Sequence, residues 1–597
     1  MFKLIKRLSA VEWLMMGVST GFICLGVWMD LRTPEYLKDI LELLQKEGTK
    51  VSEIMGPGSK MLAYSIGSFI CAVIVGFIAA RTAASFITRL RSDIFHQVMD
   101  YSDKEIKNFS IPSLLTRTTN DLAQLQILIV IGMQVVLRGP IMAVWAITKI
   151  WDKSSEWTGS LAVTVGIVIF MFLILIFVAF PKQRKVQGYT DDINSITRES
   201  LSGIRVIRAY NAEQYELDRF DERNNGLTKL NLFVFRMMTM MNPIMTTVSG
   251  VLTLVIYWFG ASLINDVTIS PTAPQVAFTN RGTLFADMTI FSQYGMQVII
   301  GFMMMVTLLI ILPRALVSAK RVNEVLSFDS SVHFTDKTQQ TPQSKGEIEF
   351  RDVTFAYSKD AQPVISHVSF KAEAGQTVAF IGSTGSGKST LVNLIPRFYD
   401  ATGGQILIDG VDIKDYAHKD LNDKIGYIAQ KAVLFSGTIR SNMTFGESTQ
   451  TPLTEEAIWE ALELAQARDF VEGKEDGLDA EVAQGGTNFS GGQKQRLSIA
   501  RALVRKPEIL IFDDSFSALD YKTDRILRKG LSEKLAHTTR LIVAQRISTI
   551  MDADQIIVLD EGRVVGQGTH KELLSTNKTY QEIAYSQLSK EELDREN

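Results

Sequence analysis

The chain has 597 residues, too many for one ordinary domain, and a formal net charge of −3 leaves no global basic field pointing to nucleic acid. Its two cysteines, Cys24 and Cys71, lie in apolar runs, which excludes a disulfide framework or a cysteine metal cluster. With 46% hydrophobic and 21% charged residues, the average hides two unlike halves: apolar blocks up to about Arg321, and soluble α/β composition from about Gly346.

In chain order, a basic start carrying Lys3, Lys6 and Arg7 runs into the apolar stretch 11–29 without a small-residue cleavage site. It reads as a retained span rather than a signal peptide. Six segments have the length and apolarity to cross a bilayer, at 11–31, 61–82, 125–150, 157–180, 233–264 and 288–312. Lys and Arg concentrate before the first span and after the second, fourth and sixth, so both termini and the segments 83–124 and 181–232 are expected in the cytoplasm. Polar residues inside spans are costly and turn towards protein or water. Gln134, Arg138, Asn242, Gln293 and Gln297 therefore read as candidate lining of a cavity, with Arg138 alternatively near the outer headgroups. Phe291, Tyr294, Met296, Met303, Met304 and Met305 read either as its adaptable walls or as lipid-facing and helix-packing residues.

The expected organisation is a membrane domain over 1–325, a polar linker over 326–345, an α/β domain over 346–588 and a charged tail over 589–597. The fold class is thus an all-α membrane domain of six long helices followed by an α/β P-loop domain.

Gly382, Ser383, Thr384, Gly385, Ser386, Gly387, Lys388 and Ser389 follow a predicted strand and open a predicted helix that continues through Thr390. Their pattern is G-x-x-x-x-G-K-S, in which glycines let backbone N–H groups curl round phosphates. Lys388 then reaches the β- and γ-phosphates, and Ser389 holds Mg²⁺. A buried strand ending at Asp513 delivers a carboxylate to the metal. Between them Ser490, Gly491, Gly492 and Gln493 begin a second helix with a phosphate-binding start. One domain has no evident use for two, so the second is expected to face a neighbouring subunit's nucleotide.

With these motifs in this order, the chain resembles ATP-binding cassette transporters, and six spans before one cassette resemble their exporter half-transporters. The resemblance implies ATP and Mg²⁺ as ligands, Tyr357 stacking on adenine, Gln430 sensing the γ-phosphate and metal, and Asp520 in the loop after the Asp513 strand. It also implies that 103–113 and 203–213 are coupling helices docking on cassettes, the second on the partner's.

The chain departs from the pattern where hydrolysis would occur. Asp514 stands where the family carries a water-polarising glutamate, and Gln545 where it carries a histidine against the γ-phosphate. Gln484 precedes the second helix start where homodimeric exporters carry glutamate. The combination resembles the degenerate-site subunit of bacterial heterodimeric multidrug exporters. The expectation is ATP-driven export of hydrophobic small molecules across the plasma membrane, with a second half-transporter as partner, the bilayer as surroundings and no nucleic acid. A lipid or peptide exporter and an ATP-binding membrane sensor are the alternatives.

Overall fold

The computed structural model describes residues 2–46, 48–150, 155–267, 274–335, 338, 345–358, 360–446 and 453–588; the expected tail at 589–597 lies outside them. It divides into two compact units, one of Met1–Gln97 with Pro112–Phe328 and one of Val98–Ile111 with Asp329–Asn597.

Among the described residues of the first unit, six helices are long and apolar enough to cross a membrane. They include α1 (Ala10–Leu44) and α2 (Val51–Met99), each longer than a bilayer requires. The third and fourth spans contain single π-helical turns at Gly132–Val136 and Leu175–Ala179. A short helix, α4 (Ile204–Ala209), with no buried residue, precedes α5 (Glu213–Asp266), and α6 (Pro274–Leu326) closes the set.

The sixth apolar span, expected at 288–312, falls on α6. Arg281 and Asp287, which break the apolar pattern, are partnered: Arg281 donates to the Val267 carbonyl at 3.0 Å, and Asp287 pairs with Lys38 at 2.9 Å. Two further pairs join the first span to the third, Arg138 with Asp30 at 2.6 Å and Lys149 with Glu35 at 2.8 Å. Gly139 and Gly301 let the third and sixth spans touch backbone to backbone, since a Cβ on either would come within 2.8 Å of the other's carbonyl oxygen.

The structure decides between readings that the sequence leaves open here. Phe291 and Tyr294 are not open cavity wall: Phe291 packs on Trp157 with ring centroids 5.4 Å apart, and buried Tyr294 donates to the Leu31 carbonyl at 2.9 Å. An aromatic ring gains more from helix–helix packing than from a solvated face. Arg138 and Gln134 do line a cavity: Arg138 pairs with Asp30, and both border a space of about 120 Å³ lined also by Ser68 and Cys71.

The second unit contains a six-stranded sheet in the order β12-β11-β3-β10-β9-β6 and a four-stranded sheet in the order β2-β1-β4-β5. The antiparallel sheet comprises β1 (Ile348–Phe355), β2 (Ile365–Ala372), β4 (Gly403–Ile408) and β5 (Val411–Asp412). In the larger sheet, β3 (Thr377–Gly382), β6 (Ile425–Ile428), β9 (Ile509–Asp513), β10 (Thr539–Val543) and β11 (Gln555–Asp560) run parallel, with β12 (Arg563–Gly568) antiparallel at the edge. A separate two-residue ladder joins β7 (Gly437–Thr438) to β8 (Glu481–Val482).

A parallel sheet covered on both faces needs apolar residues at every position. Here Val378, Phe380, Ile509 and Ile511 enter one core, while Ala379, Ile381, Leu510 and Phe512 enter the other. β3 and β9 lie on either side of β10 in the middle of the larger sheet, and their parallel direction brings both C-terminal ends to the site.

A buried ion cluster braces the sheet edge. Lys424 reaches Asp409 at 2.8 Å and Glu508 at 2.5 Å, and Asp409 accepts from the N–H groups of Gly346 and Glu347. Burial works to discharge Lys424, but its two carboxylate partners win and raise its pKa above the ordinary value. Lys424→Met strands both carboxylates and is expected to cost about 3–5 kcal/mol of unfolding free energy, read by chemical denaturation.

Candidate functional site

β3 ends at Gly382, and the loop to Gly387 leads into α7 (Lys388–Asn393). Gly387, at φ 95°, caps that helix in the left-handed region, and a Cβ there would meet the Ile365 side chain at 2.6 Å. Glycine is required at that point for backbone conformation and space. Gly385, at φ 88°, has nothing within 4 Å of a Cβ position, so the loop presents open backbone.

Buried Lys388 folds back across this loop and donates to the carbonyls of Gly382 and Ser383, each at 2.8 Å. Burial lowers its pKa, while Asp514 and Asp513 oppose that. Ser389 donates to Asp513 Oδ1 at 2.6 Å, and Tyr427 donates to Asp513 Oδ2 at 3.4 Å. Burial raises the Asp513 pKa, with the Ser389 and Tyr427 hydrogen bonds opposing. A hydroxyl and a buried carboxylate so placed form an oxygen donor set that gains from a hard cation, so these residues fit Mg²⁺ beside a phosphate loop.

Asp514, at φ 49°, follows the strand, and its N–H donates to the Val543 carbonyl. Its Oδ2 accepts two amide donors at once, Gln430 Nε2 at 3.0 Å and Gln545 Nε2 at 2.8 Å. The Gln545 carbonyl accepts from Gln587 Nε2 at 2.8 Å, tying this position to the C-terminal helix. The three residues departing from, or flanking, the family pattern are therefore one hydrogen-bonded cluster.

Tyr357 Oη lies 2.9 Å from Thr390 Oγ1, which brings the expected adenine platform to the helix after the phosphate loop. Thr384 and Ser386 lie in the loop, with Ser386 Oγ 3.3 Å from Lys388 Nζ. Ser490 caps α8 (Gly491–Val504) in a reciprocal box with Gln493, whose N–H donates to Ser490 Oγ at 3.3 Å. Among the described residues no hydrogen bond joins Ser490, Gly491, Gly492 or Gln493 to the cluster around Lys388, and Gly491 is exposed. Asp520 caps the helix Tyr521–Lys534 through the Thr523 N–H, which holds its carboxyl below the usual range.

Sequence reasoning missed Tyr427, a ring on a short strand with no motif, and the surroundings of Tyr357. Ser110, at φ 61°, divides the expected coupling segment 103–113 between α3 (Asp103–Phe109) and a helix that opens at Ile111. α3 belongs with the second unit rather than with the 1–325 domain to which the sequence assigned it.

Residues 365–517 match the family described as ABC transporter, and residues 16–288 the one described as ABC transporter transmembrane region. The chain is 39% identical over 531 residues to an uncharacterized ABC transporter ATP-binding protein of Mycobacterium tuberculosis, covering 89% of this chain and 88% of that protein. It is 30% identical to an ATP-dependent lipid A-core flippase of Desulfotalea psychrophila, over 84% of this chain and 85% of the flippase. A multidrug resistance ABC transporter ATP-binding and permease protein of Lactococcus lactis is 29% identical, over 96% and 93% respectively. In fold it is similar to a solved bacterial Atm1-family ABC exporter with ATP bound, at TM-score 0.78 and 22% identity, covering 96% of this chain and 99% of that one.

Proposed function

The chain belongs to the ABC transporter family as an exporter half-transporter with its own ATPase domain, and from that premise we propose that it is the degenerate-site half of a heterodimer exporting hydrophobic small molecules. The observation that carries this reading is the Asp514 carboxylate pinned by the neutral amides of Gln430 and Gln545.

Hydrolysis needs a carboxylate free to take the attacking water's proton and a positive group against the γ-phosphate. Asp514 is one methylene short, which withdraws its oxygens by about 1.5 Å. Its Oδ2 is already engaged by two donors. Gln545 donates a hydrogen bond but carries no charge. Binding, by contrast, keeps all its parts. The loop amides and Lys388 hold the triphosphate, Tyr357 takes the base, and Ser389 with Asp513 holds Mg²⁺, whose charge offsets that of the phosphates when bound.

The helix start at Ser490–Gln493 is intact and exposed, which supports its closing over the partner's nucleotide. The exposed α4 supports a role for 203–213 as a contact for the partner's cassette. The Lys/Arg bias supports cytoplasmic termini in a bacterial plasma membrane.

Vesicles holding this chain and its partner should take up fluorescent hydrophobic cations on ATP addition, and the purified chain alone should turn ATP over slowly. Vigorous turnover by the chain alone would sink the degenerate-site reading. The flippase relative favours a second reading, lipid export, and labelled lipid moving in place of the dyes would establish it.

A further inference from the structure

α3 is covalently strung between the second and third spans, yet it packs inside the unit that holds the phosphate loop. Ser102 caps it in a reciprocal box with Glu105 and sits 3.1 Å, oxygen to oxygen, from Ser331. One turn later Lys107 donates to Tyr399 Oη at 2.7 Å and pairs with Asp103 at 2.9 Å. Tyr399 Oη in turn donates to the Asp103 carboxylate. The Lys107 ammonium lies 5.5 Å from the ring centroid of Tyr357 and 5.3 Å from that of Tyr399. The two rings stand edge to face, 5.3 Å apart at 87°.

Tyr357 is therefore held at its hydroxyl by Thr390 on α7, and at its ring by Phe355 and Tyr399 edge to face and by a cation from α3. The residue stays 37% exposed. The Tyr399 hydrogen bond and the Asp103 pair, against the cost of burial, hold the Lys107 pKa above its ordinary value. Burial works to raise the Asp103 pKa, but the hydrogen bonds from Tyr399 and Lys107 overcome it and hold the carboxyl below the usual range. Burial chiefly pushes Tyr399 up to about 12, so the cluster is a cation, an anion and a neutral phenol at working pH.

We propose that Lys107 is a positioning residue for Tyr357, fixing the adenine platform from the membrane-linked helix α3. The inference rests on the reading of Tyr357 as that platform. Preorganising a ring raises its affinity for a stacked base without touching the phosphates. Linkage then runs both ways: a base stacked on Tyr357 holds α3 in place as firmly as α3 holds the ring.

The test uses the full-length chain in lipid nanodiscs with Mg²⁺, titrated with ATP and, separately, with inorganic tripolyphosphate, which lacks the base. Lys107→Met is expected to weaken ATP binding about fivefold, as loss of a partly solvated cation–π contact does, and to leave tripolyphosphate binding unchanged. Lys107→Arg, which keeps the cation over the rings, should restore ATP binding. Tyr357→Ala should weaken ATP binding about tenfold and erase any further effect of Lys107→Met. If Tyr357→Ala leaves ATP binding intact, the platform reading fails and the inference falls with it. If Tyr357→Ala weakens ATP binding but Lys107→Met does not, the inference alone is overturned. Equal loss of both ligands in Lys107→Met also overturns it, because Lys107 would then act on the cassette as a whole.

Discussion

In the proposed heterodimer, Gly491→Asp is expected to lower ATP turnover about a hundredfold, the scale of losing one electrostatic stabiliser at a reacting centre, because it sets a negative charge where the phosphate would bind. Gly491 opens α8, is exposed, and would carry a Cβ with nothing within 4 Å. The substitution therefore fits the fold, and a carboxylate in the first helical turn favours the helix itself. What it removes is the welcome that helix start offers a phosphate. Asp514→Asn in the same chain should leave most of the turnover, because in the proposed heterodimer the productive site would use this chain's helix start and the partner's carboxylate. Steady-state ATPase assays on the two complexes decide it, and equal loss in both would overturn the asymmetry.

The second large effect runs the other way. Asp514→Glu combined with Gln545→His should raise hydrolysis at this chain's own site by up to about a hundredfold, the rate scale of an ångström-sized misplacement. Glutamate moves the carboxylate forward out of the grip of Gln430, and histidine supplies the charge the amide lacks. Single-turnover hydrolysis measures it, in complexes whose partner has lost its own catalytic carboxylate. An unchanged rate would show that the slow site has some cause other than these two side chains.

Much of this was legible in the residues, and the exceptions have physical reasons. The spans declared themselves because backbone in lipid demands long apolar helices. Phe291 and Tyr294 stayed open between cavity wall and helix packing because helix sequence does not say which face meets a neighbouring helix. In the ATPase domain each motif could be placed on its strand or helix. The contact of Gln430 and Gln545 with one oxygen of Asp514 was not visible, since these residues lie 84 and 31 positions from it.

The sequence by itself determined six membrane helices and one phosphate-loop ATPase domain, because each follows from residue type and short-range spacing. Only the tertiary structure decided that the two glutamines converge on Asp514 and that a lysine from α3 sits against Tyr357. Those neighbours are brought together by sheet order and by a helix packing on the unit that lies beyond its own span, and neither arrangement leaves a periodic trace along the chain.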